Sequence, residues 1–204
     1  MSAEPTPAHL SAAALWQSFP LFFTALLDPF GKPLATPAHL MLWTDLVAEE
    51  RRLILRAPRS HGKTTLLLAY IAWCCWRHGR DASGRLIDGA PGPFDIMVFS
   101  ATLEQVSEHM VRLRDLLEAN DGLFAALLPG AGAGTRQRAS WSATKVRLRN
   151  GASVGTRSFH SSLRGMHPDV LLLDDVLNDA NTGTLEQRQK TYNIFTRTIL
   201  PMAP

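Results

Sequence analysis

Leu53-Ile54-Leu55-Arg56-Ala57-Pro58-Arg59-Ser60-His61-Gly62-Lys63-Thr64-Thr65 runs into the apolar stretch Leu66 to Trp76, and this segment decides the fold. Leu53-Ile54-Leu55 is a short apolar run ended by Pro58, which predicts a buried strand. Leu66 to Trp76, stopped by Gly79, predicts a buried helix. A loop between a strand and a helix N-terminus turns backbone N–H groups and the positive end of the helix dipole toward an anion. Pro58, Arg59, Ser60, His61, Gly62, Lys63, Thr64 and Thr65 are therefore expected to cradle phosphates. In that pattern the Lys63 ammonium reaches the β- and γ-phosphates of ATP, and the Thr64 hydroxyl ligates magnesium. The strict pattern asks for glycine at position 57, where this chain has Ala57. A Gly-Lys-Thr turn arising by chance is the competing reading.

A phosphate loop also needs an acid at the end of a neighbouring strand to hold magnesium through water. Val170-Leu171-Leu172-Leu173-Asp174-Asp175 offers one. Asp174 fits the magnesium position, and Asp175 is placed to orient or deprotonate the attacking water. The expected cofactors are thus ATP and Mg2+. Two arginines are further candidates. Arg59 lies inside the loop, in reach of the γ-phosphate in cis. Arg164, eleven residues before Asp175, sits in a Ser-Ser-Leu-Arg-Gly turn. It is either a surface salt-bridge partner or an arginine finger, a group worth about 10³ to 10⁵ in rate. His160, His167 and the adjacent Cys74 and Cys75 lack metal-ligand spacing and read as structural.

Outward from these motifs, the chain alternates strands and helices. Residues 1–35, interrupted by Pro20 and Pro33, read as a loosely helical N-terminal extension, and 36–204 as the domain proper. Thr36-Pro37 opens a helix to about Glu50. Ile96-Met97-Val98-Phe99 reads as a strand. The capping box Thr102-x-x-Gln105 then starts a helix with Val106, Met110, Leu113 and Leu117 on one side. Gly130 to Gly134 reads as flexible. Val146 and Leu148, the pair Asn150-Gly151, and Val154 predict a β-hairpin with a type I′ turn. Thr184-x-x-Gln187 caps a last helix with Leu185, Tyr192, Phe195 and Ile199 along one side. The class expected is α/β, with a mostly parallel central sheet flanked by helices and one β-hairpin.

Composition narrows the classes of function. Of 204 residues 46% are apolar, which suffices for one domain with a real core. Two neighbouring cysteines cannot form a disulfide framework, so a reducing, intracellular setting is expected. The longest apolar run, Leu66 to Trp76, is about half of a membrane span, and no basic segment precedes an apolar one at the N-terminus. Neither a membrane helix nor a signal peptide is expected. Net charge is only +3, yet Gly122 to Pro168 holds Arg136, Arg138, Lys145, Arg147, Arg149, Arg157 and Arg164 and no acid. Such a block is either a solvated surface or a face for a polyanion.

Taken together, Arg56 to Thr64, then Trp141 and the Asn150-Gly151 hairpin, then Leu163-Arg164-Gly165 leading into Leu171-Leu172-Leu173-Asp174-Asp175 resemble the ATPase half of a bacteriophage terminase large subunit. The resemblance covers about residues 36–200. It implies a P-loop ATPase that drives double-stranded DNA into a procapsid. Such a motor works as a homo-oligomeric ring on the portal protein, in the host cytoplasm, with a small terminase subunit as partner and no membrane. In this family the loop carries an arginine where Arg59 stands and lacks the first glycine, so Ala57 fits it. The arginine matching Arg164 is thought to act in trans on a neighbour's ATP. The block from Arg136 to Arg157 would then lie near DNA or the subunit interface. Two departures stand out. The catalytic carboxylate is often Glu where this chain has Asp175. The family continues with a coupling motif and a nuclease domain, and this chain stops at Pro204, before either, so no cleavage activity is expected of it. Other readings are a helicase-like translocase with the same core, and a non-catalytic nucleotide-binding module.

Overall fold

A computed structural model of the chain describes residues 10–85, 87, 92–125, 127–128, 140–159, 161 and 167–203. The helices are α1 (Ala12–Gln17), α2 (Phe19–Thr24), α3 (Ala38–Glu49), α4 (Lys63–Arg77), α5 (Leu103–Ala119), α6 (Asp121–Phe124), α7 (Asp179–Thr182) and α8 (Leu185–Ile194). The strands are β1 (Phe94–Ser100), β2 (Ser140–Trp141), β3 (Lys145–Arg147), β4 (Ala152–Ser158) and β5 (Val170–Leu173). Two compact units result, one from residues 1–91 with 113–130 and the other from 92–112 with 131–204.

The first unit is helical, and its core is aromatic. Ser11 and Ser18 cap α1 and α2, accepting from Ala14 N–H and Leu21 N–H. Phe19, Phe22 and Phe23 of α2 are fully buried. Phe19 lies 5.2 Å from Trp73 and 5.4 Å from Tyr70, and Phe22 lies 5.6 Å from Trp76 and 6.2 Å from Phe124. Trp73 Nε1–H donates to Leu15 O at 2.9 Å, so the indole buries its ring without orphaning its donor. Arg77 stacks its guanidinium between Trp16 and Trp73, at 4.2 and 4.3 Å. α4 ends where the glycine signal placed it: His78 N–H donates to Cys74 O, and Gly79 follows with φ +77°. Cys74 and Cys75 are free thiols, and burial raises both of their pKa values, that of Cys74 to about 12.

The second unit carries a five-stranded sheet in the order β2-β3-β4-β1-β5. β1 pairs in parallel with β4 and β5, whereas β2–β3 and β3–β4 are antiparallel. The α/β class therefore stands, but the sheet is mixed rather than mostly parallel. The hairpin does not stand apart; through β4 it becomes half of the sheet. On one face of β1, Met97 and Phe99 pack with Leu171, Leu173, Phe159, Ile194, Phe195 and Ile199. On the other, Ile96 and Val98 are buried, as the period-2 alternation requires.

Three further expectations need correction. Leu53-Ile54-Leu55 forms no strand: residues 53–58 have no regular structure, and Ile54 is 86% exposed. A strand needs a neighbour for its N–H and C=O groups, and three apolar residues between Arg51-Arg52 and Arg56 bury too little to recruit one. The hairpin turn is not type I′, because only Gly151 has positive φ, at +90°. Gly151 N–H donates to Leu148 O and Leu148 N–H to Ala152 O, the pattern of a type I turn followed by a glycine bulge. Asn150 instead uses its side-chain oxygen to accept from Ala152 N–H at 3.2 Å. Finally, Thr184 and Gln187 form the capping box predicted, yet Leu185 and Tyr192 are 76% and 61% exposed. The helix changes to a π turn at Phe195–Ile199, which shifts the buried side onto Ile194, Phe195, Ile199 and Met202. The Gly130–Gly134 stretch lies outside the described residues.

Candidate functional site

The candidate residues fall in both units, and each part is built by local chemistry. In the first unit the loop ends at Gly62, the N-cap of α4, with φ +79°. The helix ladder begins with Leu66 N–H donating to Gly62 O at 2.9 Å, which leaves the amides of Lys63, Thr64 and Thr65 in the first turn, at the positive end of the dipole. A Cβ on Gly62 would stand 2.9 Å from Leu40 Cδ1 on α3, so the side of the loop facing α3 is closed to any larger residue. Replacing Gly62 by Ala is expected to cost about 1–2 kcal/mol from the left-handed backbone alone, with Leu40 having to give way besides. A thermal melt of the purified variant checks this.

The loop is also tied internally. Lys63 Nζ donates to Ala57 O at 2.6 Å and to Pro58 O at 2.7 Å, so two of its three N–H groups hold the ammonium over the loop backbone. His61 Nδ1–H donates to Arg59 O at 2.8 Å, and His39 Nε2–H donates to His61 O at 3.3 Å. The His39 and His61 rings stand 5.7 Å apart, with Trp43 edge-on to His39. α3 thus contacts the loop through His39. Ser60 occupies the left-handed region at φ +62°.

In the second unit, Asp174 and Asp175 follow β5. Asp174 is 9% exposed, and its Oδ2 accepts from His109 Nε2–H at 2.7 Å. His109, on α5, is equally buried, and its Nδ1–H donates to Gln105 O. Burial pulls the His109 imidazole toward its neutral form. The hydrogen bond to Asp174, the Gln105 carbonyl and the charges of Asp174 and Glu108 outweigh that and raise its pKa above the usual histidine value. Both ring nitrogens thus face acceptors, the Gln105 carbonyl and the Asp174 carboxylate. Gln105 is itself locked: its Oε1 accepts from Ser100 Oγ at 3.1 Å and from Thr102 N–H at 3.2 Å, and its N–H donates to Thr102 Oγ1. The predicted capping box therefore sets the phase of α5 and brings His109 onto Asp174, although 65 residues separate the two.

Asp175 is exposed and adopts φ +50°. Just beyond it, Asn178 and Asn181 exchange backbone N–H to side-chain oxygen bonds at 2.9 and 3.0 Å. Asn181 Nδ2–H donates to Val176 O, and Thr191 Oγ1–H on α8 donates to Asn181 O. The turn after the carboxylates is thereby clasped to α8. Ser60 and Asp175 are the two non-glycine residues with positive φ among the described residues, one in each motif. Arg164, with Leu163 and Gly165, lies outside the described residues, as do Arg136, Arg138 and His160. Lys145, Arg147 and Arg157 are exposed, but the row of Arg147 continues across Ser153 to Asp95, so that sheet face is not purely basic. His109 had escaped the sequence reading; its position four residues after Gln105 of a capping box was the one local signal for it.

No family model matches the chain. The chain is similar to the terminase large subunit of Enterobacteria phage T3, at 22% identity over 198 residues. The match takes in 95% of this chain but 31% of the phage protein, so the chain spans about a third of that relative's length. The resemblance drawn from the motifs thus meets a similarity across nearly the whole sequence. No helix among the described residues is long and apolar enough to cross a membrane.

Proposed function

We propose that this chain carries the ATP-hydrolysing site of a DNA-packaging terminase large subunit, built as a P-loop ATPase. The observation that carries this reading is the placement of backbone strain. Positive φ at a residue with a Cβ costs on the order of 1–2 kcal/mol and persists where function over-determines it. Here it occurs at Ser60 and Asp175, inside the two motifs that phosphoryl transfer requires. Similarity to a terminase large subunit supports the same reading.

In the proposed site, Pro58 to Thr65 hold the nucleotide phosphates. Lys63 keeps two protons on the loop carbonyls and directs its third to the β- and γ-phosphates. Arg59 contacts the γ-phosphate in cis, and Arg164 that of a neighbouring subunit. Thr64 in the first unit and Asp174 in the second are each of a residue type that would serve magnesium, and that ion would supply charge neutralisation at the phosphates when bound. One hydroxyl and one carboxylate suit that ion, since it keeps several waters and binds through one or two carboxylates plus substrate phosphates. Asp175, exposed and with a left-handed backbone, orients the attacking water and takes its proton. The motor would work as a ring on the portal protein in the host cytoplasm, with double-stranded DNA as cargo and a small terminase subunit as partner.

Titration of the protein with a fluorescent ATP analogue, with and without magnesium, tests this reading. Saturable binding that tightens with magnesium is expected, and absence of saturable binding would overturn it. Binding without turnover by the full-length protein would favour a non-catalytic nucleotide module instead.

A further inference from the structure

Arg77, in the last turn of α4, and Arg80, in the loop behind it, are used in opposite ways. Arg80 commits its guanidinium to the fold: Nε–H donates to Trp76 O at 3.0 Å and Nη1–H to Gly84 O at 2.8 Å, with the Trp76 ring 4.6 Å away. Arg77 is clamped between the Trp16 and Trp73 rings, at 4.2 and 4.3 Å, but its Nε is shut off from solvent without a hydrogen-bond partner among the described residues. Nε1 of Trp16, stacked beside it, is in the same position. An arginine that only packed its stem would swing its charge into water. Two indoles instead hold this one in a single plane, and a charged donor left unmatched in the interior is costly. An acceptor from outside the chain is what that arrangement lacks.

The neighbourhood is positive. From Arg77 to Arg85, three arginines stand against one acid, Asp81, whose Oδ1 already accepts from Ser83 N–H, Ser83 Oγ–H and Arg85 N–H. The loop that carries them is fixed on α1, since a Cβ on Gly84 would stand 2.5 Å from Ala12 O. We propose that Arg77 binds a backbone phosphate of a nucleic-acid strand. With both faces and Nε covered, a ligand reaches the guanidinium through its two Nη groups, which match two phosphate oxygens as an end-on fork. Because Trp16 and Trp73 fix the fork beforehand, binding removes little side-chain freedom. The site belongs to the first unit alone, and α4, 15 residues long, sets it about 21 Å from Lys63. It therefore goes beyond the ATP site and uses none of its residues.

The test is fluorescence anisotropy of a short labelled DNA duplex with the full chain, without nucleotide, over a series of salt concentrations. Arg77→Gln is expected to weaken binding about 10–100-fold, the loss of a hydrogen bond to a charged group. It should also lower the slope of log affinity against log salt by about 0.9, the counterions of one phosphate. Arg77→Lys, which keeps the charge without the fork, should keep the slope and still bind more weakly than wild type. Wild-type affinity and slope in Arg77→Gln overturn the proposal. A purely structural Arg77 would lower the melting temperature and leave the slope in place, which overturns it as well. Should Arg77→Gln fail to fold, Arg77→Lys decides, because wild-type affinity in that variant removes any role for the fork. Arg77-dependent binding of a polyglutamate peptide, with DNA binding unchanged by the substitution, would show a carboxylate ligand instead and also overturn it. No nucleotide is present in these measurements, so the ATPase reading is judged separately by the ATP-analogue titration.

Discussion

Replacing Lys63 by alanine is expected to lower ATP turnover of the full-length protein by about 10²–10³-fold, the loss typical when one group that stabilises developing charge is removed. The fold should barely respond. The ammonium gives two hydrogen bonds, to Ala57 O and Pro58 O, but those carbonyls belong to a half-exposed loop where water can replace it. Lys63 is also the first residue of α4, where a cation opposes the helix dipole by about 0.3–1 kcal/mol and alanine is the better helix former. These effects offset one another, so the melting temperature should move by less than about 4 °C, the equivalent of roughly 1 kcal/mol in a chain of this size. A large fall in turnover with an unchanged melt is the diagnostic combination. Unchanged turnover would sink the assignment of this loop to phosphate chemistry, and a collapsed melt would show that the loop is chiefly structural.

Phe22→Ala is expected to destabilise the first unit by about 3–5 kcal/mol, the range for deleting a fully buried aromatic ring. Phe22 has no exposed surface, and its ring meets both Trp76 of α4 and Phe124 of α6. Against a total stability of about 5–15 kcal/mol, that loss is large enough to populate unfolded protein at 37 °C. Tryptophan fluorescence during urea unfolding is the suitable probe, because Trp16, Trp43, Trp73 and Trp76 all belong to that unit. A change below about 1 kcal/mol would mean that α2 does not pack on α4 as described. The phosphate loop immediately precedes α4, so the same variant should also weaken ATP-analogue binding to the extent that α4 frays.

Much of the candidate site was legible because its signals are local. Gly62 and the apolar run after it specify a left-handed cap and a helix within a dozen residues, and α4 forms there. Thr102 with Gln105 and Thr184 with Gln187 bond within one turn, and both boxes are made. Four aliphatic residues before Asp174 give β5, whose partner β1 was equally plain. The Asn150-Gly151 turn was located correctly, yet its type was not, since Asn150 had a choice between a left-handed backbone and a side-chain bond to Ala152 and took the second.

What the chain alone determined, then, was the order of its elements and the two motifs, because helix periodicity, strand alternation and capping chemistry act over a few neighbouring residues. The tertiary structure decided the rest. Leu53-Ile54-Leu55 stayed unpaired because a strand exists only where another offers its hydrogen bonds. The hairpin joined the parallel strands through β4. Phe19 and Phe22 became core residues because Trp73 and Trp76, more than fifty residues later, face them. The bond between His109 and Asp174 depends on the register of α5 against the end of β5, and no period in the sequence encodes a contact across 65 residues.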